Sequence, residues 1–275
     1  MHHAFNRHWP EYCMEAAELA VFMLAACVAA VALFNKDSSV AQALPSPILQ
    51  RFLMGCAMGG TAVAIIYSPW GKRSGAHFNP AVTLTFYRLG KIDAWDAAFY
   101  IVFQFAGGLA GVLLSALILG NALAVPEVEY IVTVPGSFGT AAAFLGEFAI
   151  SLCLMTAVLV SSNNCRFAGY TGWIVGVLLV LYVTVEVPLS GMSMNPARTV
   201  GSAWPAGVWT AWWVYFTAPT LAMLTAAEVF VRVRGLHHVR CAKLHHASGH
   251  RCIFRCGFAN QNTHESQEIV AAQSS

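Results

Sequence analysis

The chain has 275 residues, a formal net charge of +2, 57% hydrophobic residues and only 10% charged ones. Soluble domains carry roughly 25% charged residues, so this composition excludes an ordinary soluble globular protein and points to an integral membrane protein.

Met1 to Tyr12 is polar, and the apolar stretch that follows is long enough to cross a bilayer. The start therefore does not read as a cleavable leader. A span needs about 20 apolar residues. Six stretches qualify, at about 16–34, 48–69, 94–120, 138–161, 168–188 and 209–232. Two further apolar segments begin near Asn79 and Asn195 and are too short to cross. Of the eight cysteines, Cys27, Cys56 and Cys153 fall inside apolar runs, unlike a disulfide framework.

Lys and Arg in the loops set orientation. With the N-terminus placed in the cytoplasm, twelve of them lie on the cytoplasmic side, and only Lys36 and Arg51 lie outside. Arg198 stands apart, at membrane depth. Both termini are thus expected in the cytoplasm of a multi-pass membrane protein. The short loops fit a bacterial inner membrane.

Divided near residue 130, the chain reads as two halves, about 14–120 and 138–233. Each has three spans with a short apolar segment between its second and third. The first half carries Glu18 in its first span and Asn79-Pro80-Ala81 at its short segment; the second carries Glu147 and Asn195-Pro196-Ala197. Three spans per half is an odd number, so the second half enters the membrane inverted, which places a shared site at the midplane. Asn is a preferred helix N-cap, and Pro is tolerated at the first helical position. Each motif should start a half-helix, with its positive dipole end and Asn amide presented to the centre.

On these features, the sequence resembles the aquaporin, or major intrinsic protein, family over about residues 14–233. The two Asn-Pro-Ala boxes, the Ser74-Gly75-Ala76-His77 lead-in, Arg198 after the second box and one glutamate opening each half carry the likeness. The resemblance implies an all-α membrane fold of six transmembrane helices and two re-entrant half-helices in an inverted repeat. It implies a homotetramer, each protomer passing water or small neutral solutes passively. It makes Arg198 the filter arginine. Glu18, Glu147 and Gln104 become supports for buried loop N–H groups.

The implied filter is Gly59, Val183, Met192 and Arg198. Water-specific members usually have an aromatic residue where Gly59 stands and His where Val183 stands. A widened constriction is expected, open to glycerol, urea, hydrogen peroxide or metalloid hydroxides. Against this, Thr199, Ala203, Tyr215 and Phe216 match the water branch, and Met192 could fill the space, leaving a strict water channel. Gly55-x-x-x-Gly59 also reads as a helix-packing motif, as do Gly107-x-x-x-Gly111 and Gly172-x-x-x-Gly176. His77 is a candidate pore-lining residue or a hydrogen-bonded loop histidine. Glu186 could line the outer vestibule or cap the loop.

The segment 1–13 is read as a cytoplasmic N-terminus. The segment 234–275, rich in His, Cys and Arg, is read as a disordered tail against anionic lipid. Its cysteine spacing is not a standard zinc finger, so no metal is expected, and its removal should leave conduction intact. No cofactor, catalytic group or nucleic-acid partner is expected. The partners are water, small neutral solutes and lipid. The rival class is a gradient-coupled secondary transporter using the membrane glutamates.

Overall fold

A computed structural model describes residues 1–247 and 249–258. Among these the chain forms eleven α-helices: α1 (His2–Phe34), α2 (Ser39–Ala43), α3 (Pro47–Tyr67), α4 (Pro69–Ser74), α5 (Pro80–Arg88), α6 (Ala94–Leu119), α7 (Gly139–Ser162), α8 (Thr171–Val185), α9 (Val187–Ser190), α10 (Pro196–Ala206) and α11 (Trp212–Arg234). Six are long and apolar enough to span a membrane: α1, α3, α6, α7, α8 and α11. They match the six expected stretches. The two short ones, α5 and α10, rise only about 14–17 Å, near half the ~30 Å of a hydrocarbon core.

Packing follows the repeat. Helix α1 lies along α6 as α7 lies along α11, and α3 pairs with α8 across the join between the halves. Small residues permit these approaches. A Cβ on Gly107 would come within 2.1 Å of the Ala16 carbonyl oxygen, so α6 and α1 touch backbone to backbone there.

Helix α1 starts far earlier than its hydropathy suggested. The segment read as a polar N-terminus is a helical extension of the first span. Its polar groups have partners: Tyr12 donates to Asp96 at 2.5 Å, and Arg73 pairs with the buried Glu11 at 2.8 Å. The chain beyond α11 also differs from expectation. Among residues 235–247 and 249–258 there is little regular structure beyond one short turn, yet they fold over the face where α1 starts. Val239, Cys241, Lys243, Leu244 and Phe254 are all buried. The rest of the tail expected to be disordered, from 259 on, lies outside the described residues.

Candidate functional site

The two short helices meet at their N-termini. Asn79 caps α5, its Oδ1 accepting from Ala81 N at 2.9 Å; Asn195 caps α10, accepting from Ala197 N at 3.0 Å and Arg198 N at 3.2 Å. Each Asn also crosses to the other half. Asn79 Nδ2 donates to the Met194 carbonyl and Asn195 Nδ2 to the Phe78 carbonyl, both at 2.8 Å. An amide carries two N–H groups. One is spent on this crossed pair, and one remains for whatever occupies the cavity that both residues line.

The loops entering these helices share one geometry. Gly75 and Gly191 are left-handed, followed by Ala76 and Phe78 in one half and Met192 and Met194 in the other, all at positive φ. Left-handed backbone costs a non-glycine residue roughly 1–2 kcal/mol. Hydrogen bonds from within the bundle hold it. Tyr100 and Tyr215 each donate to the carbonyl of the serine before the glycine, Ser74 or Ser190, at 2.6 Å. In the second half, Glu147 alone takes three donors: Ser190 Oγ at 2.8 Å, Ser193 N at 2.6 Å and Met194 N at 2.7 Å. The first half divides that work. Glu18 accepts only from Ser74 Oγ at 2.7 Å, while Glu15 takes His77 N at 2.9 Å and Phe78 N at 2.6 Å. Gln104 supports Glu15, donating at 2.8 Å. The sequence reading missed Glu15 because it sits at the polar edge of the first apolar run.

A cavity of about 270 Å³ runs from Phe34, Arg51 and Glu127 at one face, past Arg198, Asn195 and Asn79, to His77 and Leu244 at the face where α1 starts. Its wall is apolar, with Met54, Met58, Met155, Met192 and Met194 supplying five of the chain's nine methionines. Such unbranched side chains adapt to what passes them. Val183, Met192 and Arg198 line it.

Gly59 does not, and this corrects the implied filter. A Cβ there would lie 2.5 Å from the Gly176 carbonyl oxygen, so Gly59 faces α8 and serves close packing. Helix α3 offers the cavity Arg51, Met54 and Met58 instead.

Arg198 is held by the loop before α7. Its Nη1 donates to the Ile131 carbonyl at 3.0 Å. Glu129, Tyr130 and Ile131 all have positive φ, a strained run that delivers that carbonyl. His77 is both wall and fixed loop residue. Its Nε2 lies 2.7 Å from the Ala242 carbonyl, which can only accept, so that nitrogen carries the proton. Nδ1 lies 3.1 Å from Thr83 Oγ1. Glu186 is buried off the cavity, and neither carboxylate oxygen has a hydrogen-bond partner among the described residues, so it does not cap the loop.

Fold and site together define a polytopic membrane protein whose two inverted halves join at paired half-helix caps around an axial cavity. The chain belongs to the major intrinsic protein family, whose model matches residues 4–230. It is 35% identical over 180 residues to a protein of Arabidopsis thaliana named putative aquaporin NIP4-1, covering 65% of this chain and 62% of that one. It is 37% identical over 181 residues to the probable aquaporin NIP-type of Nicotiana alata, covering 65% of each. Nodulin-26 of Glycine max is 32% identical over 177 residues, covering 64% of this chain and 63% of that one. The chain thus spans less than two thirds of these relatives' length. These relatives are plant proteins and lend nothing to the expected bacterial membrane. The aquaglyceroporin of Plasmodium falciparum has the same fold, with a TM-score of 0.67 at 18% identity, covering 81% of this chain and 95% of that one.

The chain beyond α11 belongs to the site's surroundings. Leu244 N donates to the Gly75 carbonyl at 3.1 Å, and the Phe254 ring stacks on His77 at 5.5 Å. Lys243 is 1% exposed; its Nζ donates to the carbonyls of Lys72 at 2.6 Å and Arg251 at 2.7 Å. Burial holds its pKa below the ordinary lysine range. The hydrogen bond from Cys241 holds the Cys252 thiol well below the usual thiol range.

Proposed function

We propose that the chain is a passive transmembrane channel for water and small neutral solutes, with no enzymatic chemistry. The observation that carries this is the single cavity passing both Asn caps and Arg198 between the two faces. A few polar groups (Arg198, Asn195, Asn79 and His77) on a mostly apolar wall suit an uncharged molecule that exchanges hydrogen bonds as it moves. The Asn amides, Arg198 and the positive ends of α5 and α10 disfavour cations there. Val183 and the methionines leave room that a histidine or aromatic ring would take, which favours solutes beyond water, such as glycerol, urea, hydrogen peroxide or metalloid hydroxides.

The glutamates behind the half-helix loops support a passive mechanism, and the unpartnered Glu186 lies off the cavity. Glu15, Glu18 and Glu147 each hold a loop donor, so none stands free as a proton carrier. In this reading the protein sits in the cell membrane with both termini cytoplasmic, following the Lys and Arg distribution. It assembles as a homotetramer, with exposed apolar side chains such as Leu117, Leu145 and Val185 facing lipid or a neighbouring copy. The test is glycerol uptake into liposomes carrying the purified protein. Uptake should rise linearly with the glycerol gradient and ignore an imposed proton gradient. Saturable uptake driven by protons would replace the channel with a coupled transporter.

A further inference from the structure

The chain beyond α11 has a feature that conduction does not need. Cys241, His246, Cys252 and Cys256 are spread along the segment, yet their ligating atoms all lie within 4.8 Å of one another. Cys241 Sγ and Cys252 Sγ are 3.6 Å apart, and Cys256 Sγ is 3.2 Å from His246 Nε2. Zinc binds thiolate sulfur at about 2.3 Å and imidazole nitrogen at about 2.0–2.1 Å. The edges of such a tetrahedron are then about 3.8 Å between sulfurs and about 3.5 Å from sulfur to nitrogen. These two separations differ from those edges by a few tenths of an ångström, and the other pairs, all within 4.8 Å, close with shifts of about 1 Å. Three soft sulfurs and one imidazole are a zinc-class donor set.

Two further observations point to a bound cation. The first is charge. Three thiolates around a divalent cation leave one net negative charge. Lys243, two residues from Cys241, is buried, and among the described residues no carboxylate forms an ion pair with it. Its ammonium is held by the Lys72 and Arg251 carbonyls, the latter one residue before Cys252, which keeps an unpaired positive charge beside the cluster in the chain. The second is order without regular structure. Residues 239–247 and 249–258 bury Val239, Cys241, Lys243, Leu244 and Phe254, with no helix or strand among these described residues to fix them. A segment too short for its own core needs a cross-link of this kind. The His246 ring is steadied by stacking on Phe258 at 4.4 Å.

We propose that Cys241, His246, Cys252 and Cys256 form a tetrahedral site for a zinc-class divalent cation, and that the cation clamps this segment across the mouth of the cavity at His77 and Leu244. The clamping follows from the chain between the first two ligands. Ala242 offers its carbonyl to His77 Nε2, and Leu244 hydrogen-bonds Gly75 and lines the end of the cavity. Fixing residues 241 and 246 fixes Leu244 between them. The clamping half rests on the channel reading; the metal half does not.

The experiment uses the full chain, purified under reductant. Mass spectrometry of the metal should find one zinc per chain. Exchange with cobalt should give the thiolate charge-transfer and ligand-field bands of a tetrahedral sulfur site. Cys252→Ser and Cys256→Ser should each lower cobalt affinity at least tenfold, while Cys13→Ser, exposed and outside the cluster, should not. Metal-free protein with a Cys241–Cys252 disulfide overturns the site, as does a cobalt spectrum unchanged in both cluster variants. Stripping zinc with a chelator should then raise osmotic water flow into liposomes several-fold, and Cys252→Ser should flow fast with or without chelator. Equal flow in both states overturns the clamp. Absence of flow in every state overturns the clamp too and counts against the channel reading, while the cobalt spectrum still carries the site.

Discussion

The unequal sharing of loop support between the halves gives a sharp prediction about stability. Glu147→Leu removes the acceptor of the Ser190 hydroxyl and of two backbone N–H groups, those of Ser193 and Met194, in a fully buried setting. Each orphaned N–H group costs about 1–3 kcal/mol, so these two alone should cost the variant about 2–6 kcal/mol. Glu15→Leu strands the N–H groups of His77 and Phe78 and should cost about the same. Glu18→Leu strands only the Ser74 hydroxyl and removes a carboxylate whose Oε2 has no partner, so it should cost about 1 kcal/mol or less. The assay is denaturant unfolding in detergent micelles followed by tryptophan fluorescence. Equal losses for Glu18→Leu and Glu147→Leu, or a harmless Glu15→Leu, would refute the division of labour.

Three other substitutions separate packing from conduction. Gly59→Ala drives a Cβ to 2.5 Å from the Gly176 carbonyl, and forcing atoms into a packed interface costs about 1–3 kcal/mol; a lower unfolding midpoint is expected, whereas a stable protein with narrowed solute range would return Gly59 to the filter. Val183→His puts a ring into the cavity wall and should cut glycerol permeability several-fold while water flow persists, and unchanged glycerol flux would show that Val183 sits away from the constriction. Arg198→Ala removes the positive charge beside the Asn caps and its anchor on Ile131, leaving Arg51 at the far end of the cavity. Cation leak should appear in a liposome proton or sodium flux assay, and a variant still tight to both ions would assign exclusion to the half-helix ends alone.

Much of the architecture was legible because lipid imposes a length scale: six apolar runs read as six spans, and two truncated ones as half-helices. The Asn-Pro-Ala motifs were legible because a cap and a first-turn proline have a fixed structural meaning. What escaped notice was facing. Position along the chain assigned Gly59 to the filter, but a helix turns, and the cavity instead receives Met54 and Met58. Glu15 escaped because hydropathy ended the span just after it, and only the fold shows that α6 and the C-terminal segment cover the polar start of α1. The four would-be metal ligands escaped because their spacing belongs to no compact finger. They converge only because the segment wraps over the mouth between His77, Asn163 and Lys91.

The most direct test of the channel account is stopped-flow light scattering on liposomes holding the purified protein, shocked first with an impermeant sugar and then with glycerol. Faster shrinkage than in protein-free liposomes, followed in glycerol by rapid re-swelling, is the expected result for a cavity walled by Val183 and methionines. Fast shrinkage without re-swelling would leave Met192 closing a strict water path. Folded protein that accelerates neither would contradict the account.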